Sequence, residues 1–185
     1  MLDPQGRADI MHILDELQQH GTTIILVTHH RDEFVNADRI IRLDNGRIVQ
    51  SARGNTASIP EMDESDTAQE DNPIAKSNIA NGASKPTSAV PIIEIHNLIY
   101  QYPNSSKPGL DKLSITINKG ETVAITGHNG AGKTTLARLL CALDQPQSGN
   151  ITINTIPVAR QRANGNMQSL KRADREKLRA TIGYV

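Results

Sequence analysis

The chain has 185 residues, with 20 Lys and Arg balanced by 20 Asp and Glu, so bulk charge favours neither nucleic acid nor an anionic membrane surface. It has no Trp, one Phe and three Tyr, too few stacking platforms for a single-stranded nucleic-acid binder. No apolar run approaches the roughly 20 residues of a spanning helix, which predicts a soluble chain whose membrane role would run through a partner. The lone Cys141 reads as a core residue of a reducing compartment.

In chain order, Met1-Leu2-Asp3-Pro4-Gln5-Gly6-Arg7 leads into a predicted helix whose Ile10, Ile13, Leu14 and Leu17 form one apolar stripe, stopped by Gly21. Residues 22–28 are a continuous β-branched apolar run, the pattern of a central parallel strand. His29-His30 ends that run, and a short polar helix is expected over residues 31–36. Residues 38–43 predict another strand, turned at Asp44-Asn45-Gly46 into Arg47-Ile48-Val49, because Asn-Gly between such runs signals a hairpin.

The composition changes from about Ser51 to Val90. Ser, Ala, Asn, Thr and Pro dominate, and Glu61, Asp63, Glu64, Asp66, Glu70 and Asp71 stand without nearby bases. Such a stretch buries too little apolar surface to offset its ordering entropy, and it is expected to be a disordered acidic linker over residues 51–91.

Order resumes at Ile92. Residues 93–95 and 98–102 read as strand, residues 113–117 alternate as another, and Asn118-Lys119-Gly120-Glu121 is a turn. Thr122-Val123-Ala124-Ile125-Thr126 then reads as a buried strand. It feeds Gly127-His128-Asn129-Gly130-Ala131-Gly132-Lys133-Thr134-Thr135, a full match to the phosphate-loop pattern G-x-x-x-x-G-K-[ST]. Leu136, Leu139, Leu140 and Leu143 follow at helical spacing. A strand, a glycine-rich turn and a helix in that order cradle a triphosphate: backbone N–H groups point inward at the positive end of a helix dipole. Lys133 is then placed on the β- and γ-phosphates, and the Thr134 hydroxyl is a ligand for Mg²⁺. Residues 144–149 read as a loop and 150–153 as a strand. The basic run Arg160, Arg162, Lys171, Arg172, Arg175, Lys177 and Arg179 is expected to be a solvated helix face with Leu170 and Leu178 inward, before a strand at residues 182–185.

These residues resemble the ATP-binding cassette ATPases of membrane transporters, nearest to the energy-coupling-factor branch that serves vitamin and cobalt or nickel uptake. The resemblance implies an α/β fold, a P-loop NTPase (RecA-like) core with an antiparallel β subdomain. It implies that Tyr102, at the end of Leu98-Ile99-Tyr100-Gln101-Tyr102-Pro103, stacks on adenine. Leu2-Asp3-Pro4-Gln5-Gly6-Arg7 looks like the D-loop, with Asp3 reaching across a dimer interface. Val27-Thr28-His29 looks like the H-loop, with His29 at the γ-phosphate as the catalytic histidine. Residues 182–185 look like the strand running into the Q-loop.

In that family the phosphate loop precedes the D- and H-loops; here the order is reversed. The simplest expectation is a slice of a tandem ATPase: the C-terminal part of a first cassette over residues 1–50, the linker, and the N-terminal part of a second over residues 92–185. No Leu-Ser-Gly-Gly-Gln-like signature and no apolar strand ending in Asp-Glu occur in the sequence. Without a positioned general base a rate typically falls ~10²–10⁴-fold, so this chain alone is expected to bind ATP and hydrolyse it poorly. The resemblance also implies that the strand at residues 22–28 lies beside the strand at 122–126, with the strand at 39–43 on its other side. A linker of roughly 40 residues reaches about 35–40 Å and permits that return. The chain would then be an incomplete, permuted half-core with His29 facing the phosphate loop. For His29-His30, a solvated strand end and an adventitious metal pair stay open.

The implied ligands are ATP and Mg²⁺. The implied partners are a second ATPase domain or subunit and the transmembrane coupling protein of an importer, at the cytoplasmic face of the cell membrane. Two other readings stay open: a nucleotide-binding P-loop protein outside transport, and a gene fragment with a fold but no cellular role.

Overall fold

The computed structural model describes residues 4–28, 36–53, 90–103, 105–168 and 170–183. Helix α1 spans Pro4–Gln19 and ends in a Schellman cap: Gly21 N–H donates to Gln18 O (2.8 Å) and Thr22 N–H to Leu17 O (3.1 Å), with Gly21 at φ 85°. Its apolar stripe is divided. Met11 and Leu14 face Ile24 and Leu26 of the sheet, whereas Ile10, Ile13 and Leu17 stay exposed.

Strands β1 (Ile24–Val27), β2 (Arg39–Asp44) and β3 (Arg47–Arg53) come from the N-terminal segment. Strands β4 (Pro91–Tyr100), β5 (Leu110–Asn118) and β6 (Thr122–Thr126) follow, then helix α2 (Lys133–Leu140). Strands β7 (Ser148–Ile153), β8 (Ile156–Gln161) and β9 (Met167–Gln168) precede helix α3 (Arg172–Thr181).

The first sheet has the order β1-β6-β2-β3. β6 is parallel to both neighbours, with Leu26 and Ile40 each in register with Ala124. The expected flanking of the 122–126 strand by the two N-terminal strands is therefore present. Val123, Ala124 and Ile125 are fully buried, which is why this strand has no polar alternation. β2 and β3 form a hairpin through Asn45 (φ 46°) and Gly46 (φ 76°), both left-handed as a type I′ turn requires. β3 runs to Arg53 with alternating burial, two residues past the composition change at Ser51, and β4 begins at Pro91. The ends of residues 51–91 are thus strand; residues 54–89 lie outside the described part.

The second sheet is antiparallel, in the order β5-β4-β7-β8-β9. Residues of both sheets share one core: Leu98, Leu110, Leu113, Ile117 and Ile151 pack in the same cluster as Ile41, Leu43 and Ile125, with Leu136 and Leu139 of α2.

Four sequence expectations need correction. The basic region is not helical throughout, since residues 156–161 form β8, paired with β7 across a tight Asn154-Thr155 turn whose residues both have φ > 0. Burial of Val158 and Ala159 rewards that pairing. In α3, Leu178 is buried as expected, and Leu170 packs on the core from the loop before the helix. Strand β4 stops at Tyr100, so Tyr102 is in a loop. Helix α2 stops at Leu140: Ala142 has φ 53°, which leaves Leu143 half-exposed rather than on the helical stripe. Ile182 and Gly183 are not in a strand, and Tyr184, Val185 and residues 31–35 lie outside the described residues.

Candidate nucleotide site

The buried strand β6 delivers the chain to Gly127 at the sheet's edge, where the loop must turn at once into α2. Two contacts dictate glycine there. A Cβ on Gly127 would run into the carbonyl oxygen of Leu43, at the end of β2. On Gly132 (φ 105°) it would lie 2.5 Å from Gly109 O and 2.9 Å from Leu110 Cδ2. The loop is thus clamped between the β2–β3 hairpin and the start of β5. Gly46 N–H donates to Ala131 O (3.0 Å), and Gly46 O accepts from Asp111 N–H (3.0 Å), so the hairpin tip bridges both elements.

Leu136 N–H donates to Gly132 O (2.9 Å) and closes the first turn of α2. The positive end of this helix therefore opens onto the loop, a ready anion site. Lys133, the first helical residue, curls back: its Nζ donates to Gly127 O (2.6 Å) and His128 O (2.9 Å). Partial burial holds its pKa below the ordinary lysine value. The ammonium is held by two carbonyls of the loop it would serve, and no carboxylate pairs with it among the described residues.

The side chains around the loop have separate positions. His128 is exposed, with Nδ1 2.7 Å from Asn129 O and Nε2 2.8 Å from Asp44 Oδ1. Asn129, Gly130 and Thr134 are exposed, and Ala131 is buried. Thr135 is buried, its hydroxyl 2.8 Å from the Tyr102 hydroxyl. Tyr102 is 41% exposed and stands edge-on to Tyr100, with ring centroids 4.9 Å apart at 86°. Its ring borders Gly109, where a Cβ would lie 3.1 Å from Tyr102 Cε2.

These elements surround one cleft of about 570 Å³. Tyr102, Asn129, Gly130 and residues 132–135 line it. Val27 and Thr28, immediately before His29, line it from the end of β1. His29 and Asp3 are outside the described residues. Two lining residues, Asn45 and Lys107, were not singled out by sequence. The Asp44-Asn45-Gly46 turn was legible as a hairpin, but its docking on a loop over 80 residues away has no local signal; Lys107 lies in a loop with no motif. Among the described residues no group of three His, Cys, Asp or Glu side chains is placed to hold a metal. No described helix is long and apolar enough to cross a membrane.

Residues 110–185 match the family model of the ABC transporter. A protein of Bifidobacterium longum, named as an ABC transporter ATP-binding protein, is 39% identical over 211 aligned positions that take in all of this chain and 27% of the relative. An energy-coupling factor transporter ATP-binding protein of Latilactobacillus sakei is 52% identical over 68 residues, 37% of this chain and 24% of its own length. A Methanosarcina mazei protein named as an ABC transporter ATP-binding protein is 31% identical over 153 residues, 82% of this chain and 29% of its own length. The chain thus spans less than a third of each relative. Its phosphate-loop segment, residues 110–185, is similar to the ABC transporter family.

Proposed function

We propose that the chain binds Mg–ATP in this cleft and is part of the ATP-hydrolysing machinery that powers a membrane importer of the energy-coupling-factor type. The observation that carries this reading is the Lys133 ammonium. It is held by Gly127 O and His128 O at the positive end of α2, inside a cleft of nucleotide size. A triphosphate would replace those carbonyls as its partner. Backbone N–H groups from Gly130 to Thr135 then meet the phosphate oxygens, and Tyr102 offers its ring to the base. Mg²⁺, held by the Thr134 hydroxyl, would neutralise charge between the β- and γ-phosphates. His29, which follows two cleft-lining residues, is assigned to the γ-phosphate, and Asp3 to a dimer interface.

The core is read as a P-loop NTPase half-core in permuted order, supported by the sheet order β1-β6-β2 around the phosphate-loop strand. A His29–Lys133 separation of tens of ångströms would end that reading. The division into a first-cassette tail, a linker and a second-cassette head is supported by the Bifidobacterium longum relative, whose alignment runs through the whole chain in this order. The importer class is supported by the 52% identity to the energy-coupling factor relative. Hydrolysis by this chain alone is expected to be slow, because the sequence has no Asp-Glu strand to supply a general base and no signature motif. The partners would be a second ATPase domain or subunit and a transmembrane coupling protein, which place the chain on the cytoplasmic face of a membrane.

Calorimetry with Mg–ATP tests the central claim. Binding heat that Lys133→Ala abolishes is expected; folded chain that gives no such heat would overturn the proposal. Retention by a purified transmembrane coupling protein tests the transport role separately.

A further inference from the structure

We propose that Lys107 is a second phosphate-binding cation of the cleft, so that the site is built for a ligand with at least two phosphate groups. The inference rests on the nucleotide reading above and extends it to a residue outside the phosphate-loop motif.

The described residues lining the cleft include two cations, Lys107 and Lys133, and no carboxylate. Two lysines lining one cleft repel each other through their charges unless an anion lies between them. The arginine ion pairs Arg47–Asp111, Arg138–Asp144 and Arg172–Glu176 all lie outside the cleft lining. Neither cleft lysine has such a partner among the described residues. Charge left uncompensated in a concave site is what recruits a polyanion.

The backbone around Lys107 is fixed rather than loose. The Ser105 hydroxyl donates to Lys107 O (2.7 Å) and lies 3.2 Å from Lys107 N. Two residues on, Gly109 is tied by its N–H to Tyr100 O (2.7 Å) and pressed against the first turn of α2 at Gly132. Two residues span at most about 7 Å of chain, so Lys107 is anchored within a side-chain length of the loop that carries Lys133. Tyr102 lies on the same loop as Lys107. With the base at Tyr102 and the terminal phosphates at Lys133, the phosphates nearer the ribose fall to Lys107.

The test is calorimetric titration of the whole chain and of Lys107→Ala and Lys107→Arg with Mg–ATP, Mg–ADP, AMP and adenosine, at low and high salt. Lys107 is exposed and its side chain makes no described hydrogen bond, so the alanine variant should fold as the parent does. The expected result is a loss of about fivefold in ATP, ADP and AMP affinity for Lys107→Ala at low salt, shrinking as salt screens the pair, with adenosine changed less than twofold and Lys107→Arg restoring most of the loss. An unchanged ATP affinity, or an equal loss for adenosine, would overturn the assignment of Lys107 to the phosphates. A parent chain that does not bind ATP at all would instead remove the nucleotide reading, and this inference with it.

Discussion

Arg39, at the start of β2, and Glu121, just before β6, form an ion pair with Nε 2.9 Å from Oε1 and both side chains nearly removed from solvent, at 13% and 9% exposure. Arg39 Nη2 donates hydrogen bonds to Thr116 O (2.5 Å) and to Glu121 Oε2 (3.4 Å). Glu121 Oε2 accepts from Asn118 N (2.8 Å) and Asn118 Nδ2 (3.2 Å). Burial lowers the Arg39 pKa, and the Glu121 charge opposes that shift. Arg39→Ala leaves a buried carboxylate without its partner and should lower stability by roughly 3 kcal/mol. A double replacement, Arg39→Met with Glu121→Leu, should lose clearly less. Urea denaturation of the three chains checks this; equal losses for single and double variants would mean that the pair does not couple the two segments.

The same junction predicts complementation. β6 is hydrogen-bonded on both edges by strands of the N-terminal segment, and Gly120 N–H and Thr122 N–H are taken by the Thr23 hydroxyl (2.9 Å) and the Asp38 carboxylate (2.8 Å). A chain of residues 90–185 alone exposes both edges of a strand with no polar face. It should be poorly folded, and adding residues 1–53 as a separate chain should restore cooperative thermal unfolding. If residues 90–185 fold equally well alone, the N-terminal strands are dispensable.

How the sequence relates to this fold depends on range. The parallel neighbours of the 122–126 strand were legible only through the family resemblance that implied them, since apolar runs mark buried strands without saying which of them pair. The phosphate loop was legible because its glycines and Lys133 sit at fixed spacing. Strand β8 was not: Arg160 and Arg162 obscure the short buried pair Val158–Ala159, and its turn uses Asn154-Thr155 instead of a glycine. The cleft wall from Asn45 and Lys107 was also hidden, since it depends on where Gly46 and Gly109 press against Gly132.

Those contacts separate two glycines that share one motif. Gly130 (φ 85°) has open space where a Cβ would go, so Gly130→Ala meets only backbone strain of order 1–3 kcal/mol. Gly132→Ala meets that strain and also a carbonyl at 2.5 Å that cannot swing away. Thermal denaturation should show Gly132→Ala as the more destabilised chain, with the greater loss of ATP affinity. The reverse order would contradict the clamp.

Lys133 gives the pH dependence. Its folded pKa is depressed by burial below the ordinary 10.5, so between the two values the unfolded chain holds more protons than the folded one. Stability from this group therefore rises with pH through that window, and the gain should vanish in Lys133→Met. A phosphate brought to the ammonium raises the pKa again, so ATP binding within the window should take up protons. Calorimetry in two buffers of different ionisation enthalpy reads that uptake; proton release, or none, would place the phosphates away from Lys133.

Tyr102 has a ring and a hydroxyl with separable tasks. The hydroxyl bonds to the buried Thr135 hydroxyl at 2.8 Å, and the ring stands edge-on to Tyr100 with 41% of the residue open to the cleft. Stacking of a base on an aromatic side chain is worth about 1–3 kcal/mol, whereas the hydroxyl pair lies between protein groups. Tyr102→Phe should therefore bind ATP within about twofold of the parent while losing the order of one tyrosine–threonine hydrogen bond in stability, roughly 1 kcal/mol. Tyr102→Ala should lose about tenfold in ATP affinity and lose similarly with adenosine, because the ring meets the base and not the phosphates. Binding of inorganic triphosphate should be unchanged in both variants. Should Tyr102→Ala weaken triphosphate as much as ATP, the ring would be shaping the phosphate loop through Thr135 and Gly109, and its place at the base would be lost.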